Sequence, residues 1–411
     1  MTIWHPDPWP DYARLCAFGG RLAGSAGEAA AAAFVEQRLT ELGATVRRQV
    51  VPFRGWDVRE FELEKLDAEA QPLAARPLLW SPATPVDGLE LEVVDLGRGA
   101  QRDFLARAGT VNGCAVLVRH EYMFAGDSIR RRLKYGWATK HGAAALLVAN
   151  DIEGVGPISG SAGAGAHVTI PAIGLSHESG HALSDPRAPA RIRLLLRTEE
   201  REQMSHNIIA EFPGRTDDWV VLSAHLDGHD LAESAIDNAT GVATVLAVTR
   251  QLAPVIRAMR RSLRVCLFTF EEWDLTGSRH YVDALKGTER AKIACNMNLD
   301  SVAGGTCFAA MTSDFRSLPA VLGGWAAEID TPLRIHEPLG ANSDHYSFAI
   351  RGIPAFRIIS GFDEPRSNLR YVLTTQDRLD KATRRGLMAA GRLTTHLCTR
   401  LLEGNHADLR G

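Results

Sequence analysis

A chain of 411 residues exceeds what one ordinary hydrophobic core serves, so two domains, or one domain carrying an insertion, are expected. An apolar fraction of 45% and a charged fraction of 23% argue for a soluble globular protein and against a disordered, collagen-like or membrane class. With 46 Lys and Arg against 49 Asp and Glu the net charge is -3, and no basic stripe recommends nucleic acid or an anionic membrane as partner.

The N-terminal residues Met1-Thr-Ile-Trp-His-Pro have neither a basic start nor an apolar stretch long enough for export, so a cytoplasmic address is expected. No apolar run approaches the roughly 18 residues of a membrane helix. The six cysteines are scattered without a Cys-x-x-Cys pair. Cys114, Cys266 and Cys295 lie in apolar runs and read as core filler.

Ser25-Ala-Gly-Glu28 has the form of a capping box, in which each side chain satisfies a free backbone N–H of the first turn. A helix should follow through Val35, Leu39 and Leu42, end at Gly43 and give way to a strand over 45–53. From 78 to 197 the pattern changes to short strands near 91–96, 115–119, 144–148 and 170–175, with one helix around 128–140. The Gly-rich stretch 156–165 is expected to pack little and to be mobile. From 207 onward strand and helix alternate, with strands expected over 219–223, 262–270, 293–299 and 354–359. Helices are expected over 241–252, through Tyr281, near 318–329 and over 378–402. This implies an α/β fold, a mostly parallel central sheet with helices on both faces, plus a smaller β-rich inserted domain. Ligands of such sheets bind outside the carboxyl ends of the strands.

Acids and histidines collect at those ends. Ser223-Ala-His225-Leu-Asp227 closes one strand, with Asp237 in the next loop; a second runs into Glu271-Glu272; a third ends in Asp300; another loop supplies Ser343-Asp344-His345. Adjacent carboxylates after an apolar strand are costly unless a cation or proton lies between them. Histidine nitrogens and carboxylate oxygens are the donors zinc accepts in hydrolytic sites. Two histidines and three carboxylates suffice for two ions with a water between them as nucleophile, and one further acid must take the proton from that water.

These residues resemble those of metallopeptidase family twenty-eight, the co-catalytic dizinc aminopeptidases and their plasma glutamate carboxypeptidase relatives. The likeness is carried by Ser25-Ala-Gly, Asn207-Ile-Ile-Ala-Glu-Phe-Pro-Gly214, the block 220–241, Phe268-Thr-Phe-Glu-Glu with Gly277-Ser278, Asn298-Leu-Asp300, and Ser343-Asp-His345 before Gly352-Ile-Pro-Ala355. Asn112-Gly-Cys-Ala-Val-Leu-Val118 and the run 142–151 resemble a protease-associated domain. The resemblance implies a metallohydrolase domain over 1–77 and 198–411, interrupted by an insertion over 78–197. It makes His225 and Asp300 ligands of one ion, Glu272 and His345 ligands of the other, and Asp237 the bridge. Glu271 becomes the general base and Asp227 the carboxylate that orients His225. A cis peptide between Asp237 and Asn238 is implied as well.

The expected cofactors are two divalent ions, zinc first, with manganese or cobalt as alternatives. The expected reaction is aminopeptidase or dipeptidase cleavage of a small peptide by a metal-bridging water. The competing expectation is hydrolysis of a small non-peptide amide or aromatic amine in a catabolic pathway; the composition leaves room for a homo-oligomer. Three departures from the family bear on substrate. No tyrosine stands between Asp300 and His345 to meet an oxyanion, Leu373-Thr-Thr-Gln-Asp377 replaces a common His-Thr-x-x-Asp, and Gly228 replaces a common Ser.

Overall fold

A computed structural model describes residues 6–67, 69–163, 167–184, 189–404 and 409. The chain forms two compact units, one from Met1–Pro52, Met204–Val372 and Asp377–Gly411, the other from Phe53–Gln203 and Leu373–Gln376.

The first unit opens with the helix Trp9–Cys16, whose prolines at and near the start supply preset φ where no N–H is needed. The helix Ala26–Glu41 follows. Ser25 Oγ accepts the Glu28 N–H at 3.2 Å as expected, but the reciprocal half of the capping box differs. Glu28 Oε2 takes the Gly24 N–H at 2.6 Å, and its carboxylate is drawn inward by the hydroxyls of Ser205, at 2.8 Å, and Thr269. Gly43, with φ 85°, ends the helix.

In the sheet of this unit the strand order is Leu333–His336, Phe308–Thr312, Ala355–Ser360, Ile293–Leu299, Trp219–His225, Ser262–Phe268 and the C-terminal part of Arg191–Phe212. The four strands from Ala355–Ser360 to Ser262–Phe268 are parallel; Phe308–Thr312 runs antiparallel to Ala355–Ser360 and parallel to Leu333–His336, and Arg191–Phe212 runs antiparallel to Ser262–Phe268. Alternate residues serve opposite faces. Val220, Leu222 and Ala224 pack with Val242, Val245 and Leu246 of the helix Thr240–Leu252 and with Leu387 and Leu397 of the helix Arg384–Glu403. Val221, Cys266 and Phe268 face the other way, onto Tyr281, Val282 and Phe348. With both faces covered, the parallel strands are apolar almost throughout. The last helix begins later than its sequence pattern implied, because Thr383 caps it by accepting the Gly386 N–H at 3.0 Å.

The second unit pairs Leu89–Asp95, Ala115–Arg119, Ala145–Ala149 and Ala172–Leu175 in parallel, with Ala75–Pro77 antiparallel at one edge. The helix Arg131–Lys140 covers it through Tyr135 and Ala138. The Gly-rich stretch 156–165 behaves otherwise than expected over its described part, since Ile158 and Ala162 are buried in the core. Gly174, in the strand Ala172–Leu175, allows the stretch to approach closely: a Cβ there would lie 2.2 Å from the Ile158 carbonyl oxygen. Residues 164 and 165 of that stretch, like 1–5 at the N-terminus, lie outside the described residues.

All six cysteines are free; Cys266 and Cys295 are fully buried and Cys114 partly so. Among the described residues no helix is long and apolar enough to cross a membrane.

Candidate metal centre

Register brings the polar residues together. His225 ends its strand opposite Phe268 of the parallel neighbour, so the chain beyond Phe268 carries Glu271 to the level of His225. On the other side Asn298 stands opposite Ser223, which places Asp300 just past the same edge. The backbone turns sharply at Phe270, φ 57°, and Ser301, φ 60°. Left-handed conformations at such residues cost about 1 to 3 kcal/mol each and persist where the surroundings over-determine them.

His225 Nε2 lies 3.0 Å from Asp237 Oδ1 and 3.6 Å from Asp300 Oδ1. Its Nδ1 faces the main-chain carbonyl of Asp227 at 3.0 Å, nearer than the Asp227 carboxylate at 3.6 Å. That carboxylate instead accepts the backbone N–H groups of Glu271 and Glu272, at 3.1 and 3.3 Å. The loop bearing Asp237 is clamped by Asp377, whose carboxylate accepts the N–H groups of Ile236 at 2.7 Å and Asp237 at 3.3 Å. The peptide between Asp237 and Asn238 is cis. Asn238 ties this loop to the next strand end, donating to the Leu299 carbonyl at 2.9 Å and accepting the Ser301 N–H at 3.2 Å.

Asp300 is held by the Ser343 hydroxyl at 2.6 Å and by the guanidinium of Arg357 at 3.1 Å. Burial would raise its pKa, but Arg357 and His225 keep the carboxyl well below its usual range. At Glu271, Glu272 and Asp237 burial, reinforced by neighbouring carboxylates, outweighs the opposing pull of His225 and pushes all three upward. Burial alone would depress His225, yet Glu271 and the three aspartates around the ring raise it well above normal. A buried site with this excess of carboxylate is stabilised by a cation, and its His and carboxylate donors suit zinc. The residues present fit that ion: His225, Glu271 and Asp300 each offer a ligand atom, all within 4.8 Å of one another, and Glu272 Oε1 is buried without a hydrogen bond.

His345 is placed differently. It is fully buried, neither ring nitrogen makes a hydrogen bond, and it is not among the three gathered donors. Burial and the nearby Arg357 push it down to about 3, so the ring is neutral. Beside it, burial, against the opposing pull of His225, pushes Asp344 up to about 7. Sequence reasoning did not single out Arg357, and it named Asn238 only for the cis peptide, not for its hydrogen bonds. For Arg357 a signal existed, because an arginine inside the apolar run Ala355-Phe-Arg-Ile-Ile is buried only if paired. Asp377 stood in a noted motif, but its target lies 140 residues away in sequence.

Donors of this kind at the carboxyl ends of adjacent parallel strands define a metal-dependent hydrolase on a mixed α/β sheet. Residues 207–398 match the pattern of peptidase family M28, and residues 86–183 match that of the PA domain. It is 27% identical to aminopeptidase YwaD of Bacillus subtilis over 392 residues, 92% of this chain and 80% of that protein. It is 28% identical to the probable lipoprotein aminopeptidase LpqL of Mycobacterium tuberculosis, over 85% of this chain and 71% of that protein. Among solved structures it superposes on BSAP, a zinc aminopeptidase from Bacillus subtilis, with a TM-score of 0.77 and 25% identity, over 100% of this chain and 98% of that one.

Proposed function

We propose that this protein is a zinc-dependent aminopeptidase that releases the N-terminal residue of a small peptide, with Glu271 as general base. The observation that carries this reading is the gathering of His225, Glu271 and Asp300 within ligand distance of one another, with Asp237 against His225. The names of the relatives support the peptide substrate.

When bound, zinc polarises the scissile carbonyl and acidifies water. The chain's own residues do the rest. His225, Asp237 and Asp300 would hold one ion, and Asp237, Glu272 and His345 would serve a second. Glu271, on a turn pinned by Asp227, takes the proton from attacking water and delivers it to the leaving amine. The PA match inside 78–197 supports reading that segment as an insertion in a catalytic domain formed by 1–77 and 198–411.

The test is hydrolysis of amino-acyl anilides, dipeptides, N-acetylated dipeptides and small aromatic amides by the zinc-loaded protein. Cleavage of free-amine peptides with no turnover of the acetylated ones is expected. Turnover of the amides alone would replace this reading by amide hydrolysis.

A further inference from the structure

Among the fully buried cations that the mechanism above leaves unused is Arg21, in the segment before the helix Ala26–Glu41. We propose that Arg21 is a positioning residue for the metal centre, holding through the main chain the loop that joins His225 to Asp237. This rests on reading those two residues as metal ligands.

The contacts of Arg21 bracket that loop. Nε donates to the carbonyl of Leu226 at 3.0 Å, one residue past His225. Nη1 donates to Glu233 O at 2.7 Å and Nη2 to Ser234 O at 2.8 Å, just before the turn that carries Asp237. Its own carbonyl accepts the Gly228 N–H at 3.0 Å, and a longer bond of 3.5 Å reaches Leu15 O. One planar fork therefore ties both ends of residues 226–234 together, a geometry that lysine's point charge cannot reproduce.

Packing shows the same mould. A Cβ on Gly20 would lie 2.8 Å from Asp230 Cα, and one on Gly27 would lie 2.2 Å from the Gly20 carbonyl oxygen. Within the loop Ser234 adopts φ 45°, while its hydroxyl donates to His229 O at 3.1 Å. Each of these side-chain hydrogen bonds of Arg21 ends on a carbonyl, none on a carboxylate. Burying an arginine on carbonyls is expensive; the nearby Asp377, Asp227 and Asp237 oppose that cost only in part, and burial still lowers the Arg21 pKa.

Two roles predict opposite signs. If Arg21 were only a charge near the centre, removing it would make the site more attractive to a dication. If it positions the loop, removing it separates His225 from Asp237 and weakens binding, by the 10- to 100-fold that loss of ligand-orienting contacts typically costs.

The experiment measures the zinc dissociation constant of the full chain by competition with a chromophoric chelator. It compares wild type, Arg21→Met, Arg21→Lys, Gly20→Ala and His225→Ala, each below the Tm of its metal-free form, and records kcat and KM of the zinc-loaded proteins. Both Arg21 variants and Gly20→Ala should bind zinc at least tenfold more weakly, lowering kcat with KM changed less than threefold, and methylguanidinium should partly restore zinc affinity to Arg21→Met. If Arg21→Met does not fold, Arg21→Lys and Gly20→Ala decide. Zinc affinity unchanged or tighter in the folded variants, with only Tm lowered, would overturn the proposal. Equal affinity in wild type and His225→Ala would instead remove the ligand reading itself, and the proposal with it.

Discussion

Asp227 grips Glu271 by its backbone, the Glu271 N–H meeting Asp227 Oδ1 at 3.1 Å, while the Asp227 main-chain carbonyl faces His225 Nδ1. One residue thus sets the mutual position of the candidate base and a candidate ligand. Asp227→Asn keeps the size but presents an NH2 group to one of two buried N–H donors, an unsatisfied pair worth about 1 to 3 kcal/mol. Urea denaturation should show a loss of that size, with kcat lowered more than zinc affinity. Unchanged stability and turnover would mean the carboxylate is idle.

Glu271 and Glu272 should separate by function. Glu271→Gln retains zinc and loses about 100-fold or more in kcat, the usual worth of general base catalysis. Glu272→Gln lowers metal content. Elemental analysis beside steady-state kinetics checks both, and the reverse pattern would exchange the roles.

Metal removal should abolish turnover. Dialysis against a chelator is expected to eliminate activity and added zinc to restore it, while His225→Ala binds no zinc at the centre. His345→Ala should still hold one ion per chain, because the donors gathered around His225 do not include it. Loss of all metal in that variant would place His345 among the ligands of the first ion.

Glu28 carries a pH signature. Burial, with Asp227 adding to it, raises its pKa to about 7 from 4.5, so the folded protein holds a proton that the unfolded chain has released. Stability from this group is complete below about pH 4.5 and is lost as pH rises to about 7, by up to roughly 3 kcal/mol. Glu28→Gln keeps the hydrogen bond without the titration. Denaturation of the metal-free proteins at pH 5 and pH 7.5 should show wild type falling more steeply than the variant, and parallel slopes would refute the assignment.

How much of this was legible in the sequence follows from the range of the forces involved. Ile293–Leu299 and the helix Thr240–Leu252 were readable because their residues repeat with the period of a strand or helix buried on known faces. The strand Arg191–Phe212 was not, since its charged run Glu199-Glu-Arg-Glu202 hides a strand whose exposed stretch carries little apolar signal. The same limit applied to Leu333–His336, where Arg334 is exposed and the other three residues are only partly buried.

By itself the sequence determined the alternation of strands and helices, the parallel sheet and the placement of His225, Glu271 and Asp300 at strand ends, because periodicity and burial act over a few neighbouring residues. Only the tertiary structure decided which donors meet and what holds them. Arg21 reaches Glu233 across 212 positions, Glu28 reaches Thr269 across 241, and Asp377 reaches Asp237 across 140. These are hydrogen bonds to buried backbone or side-chain groups, which leave no periodic trace because any residue type can supply the main-chain partner. Their specificity arises when the sheet brings distant loops to one edge and every buried donor and acceptor there must find a match.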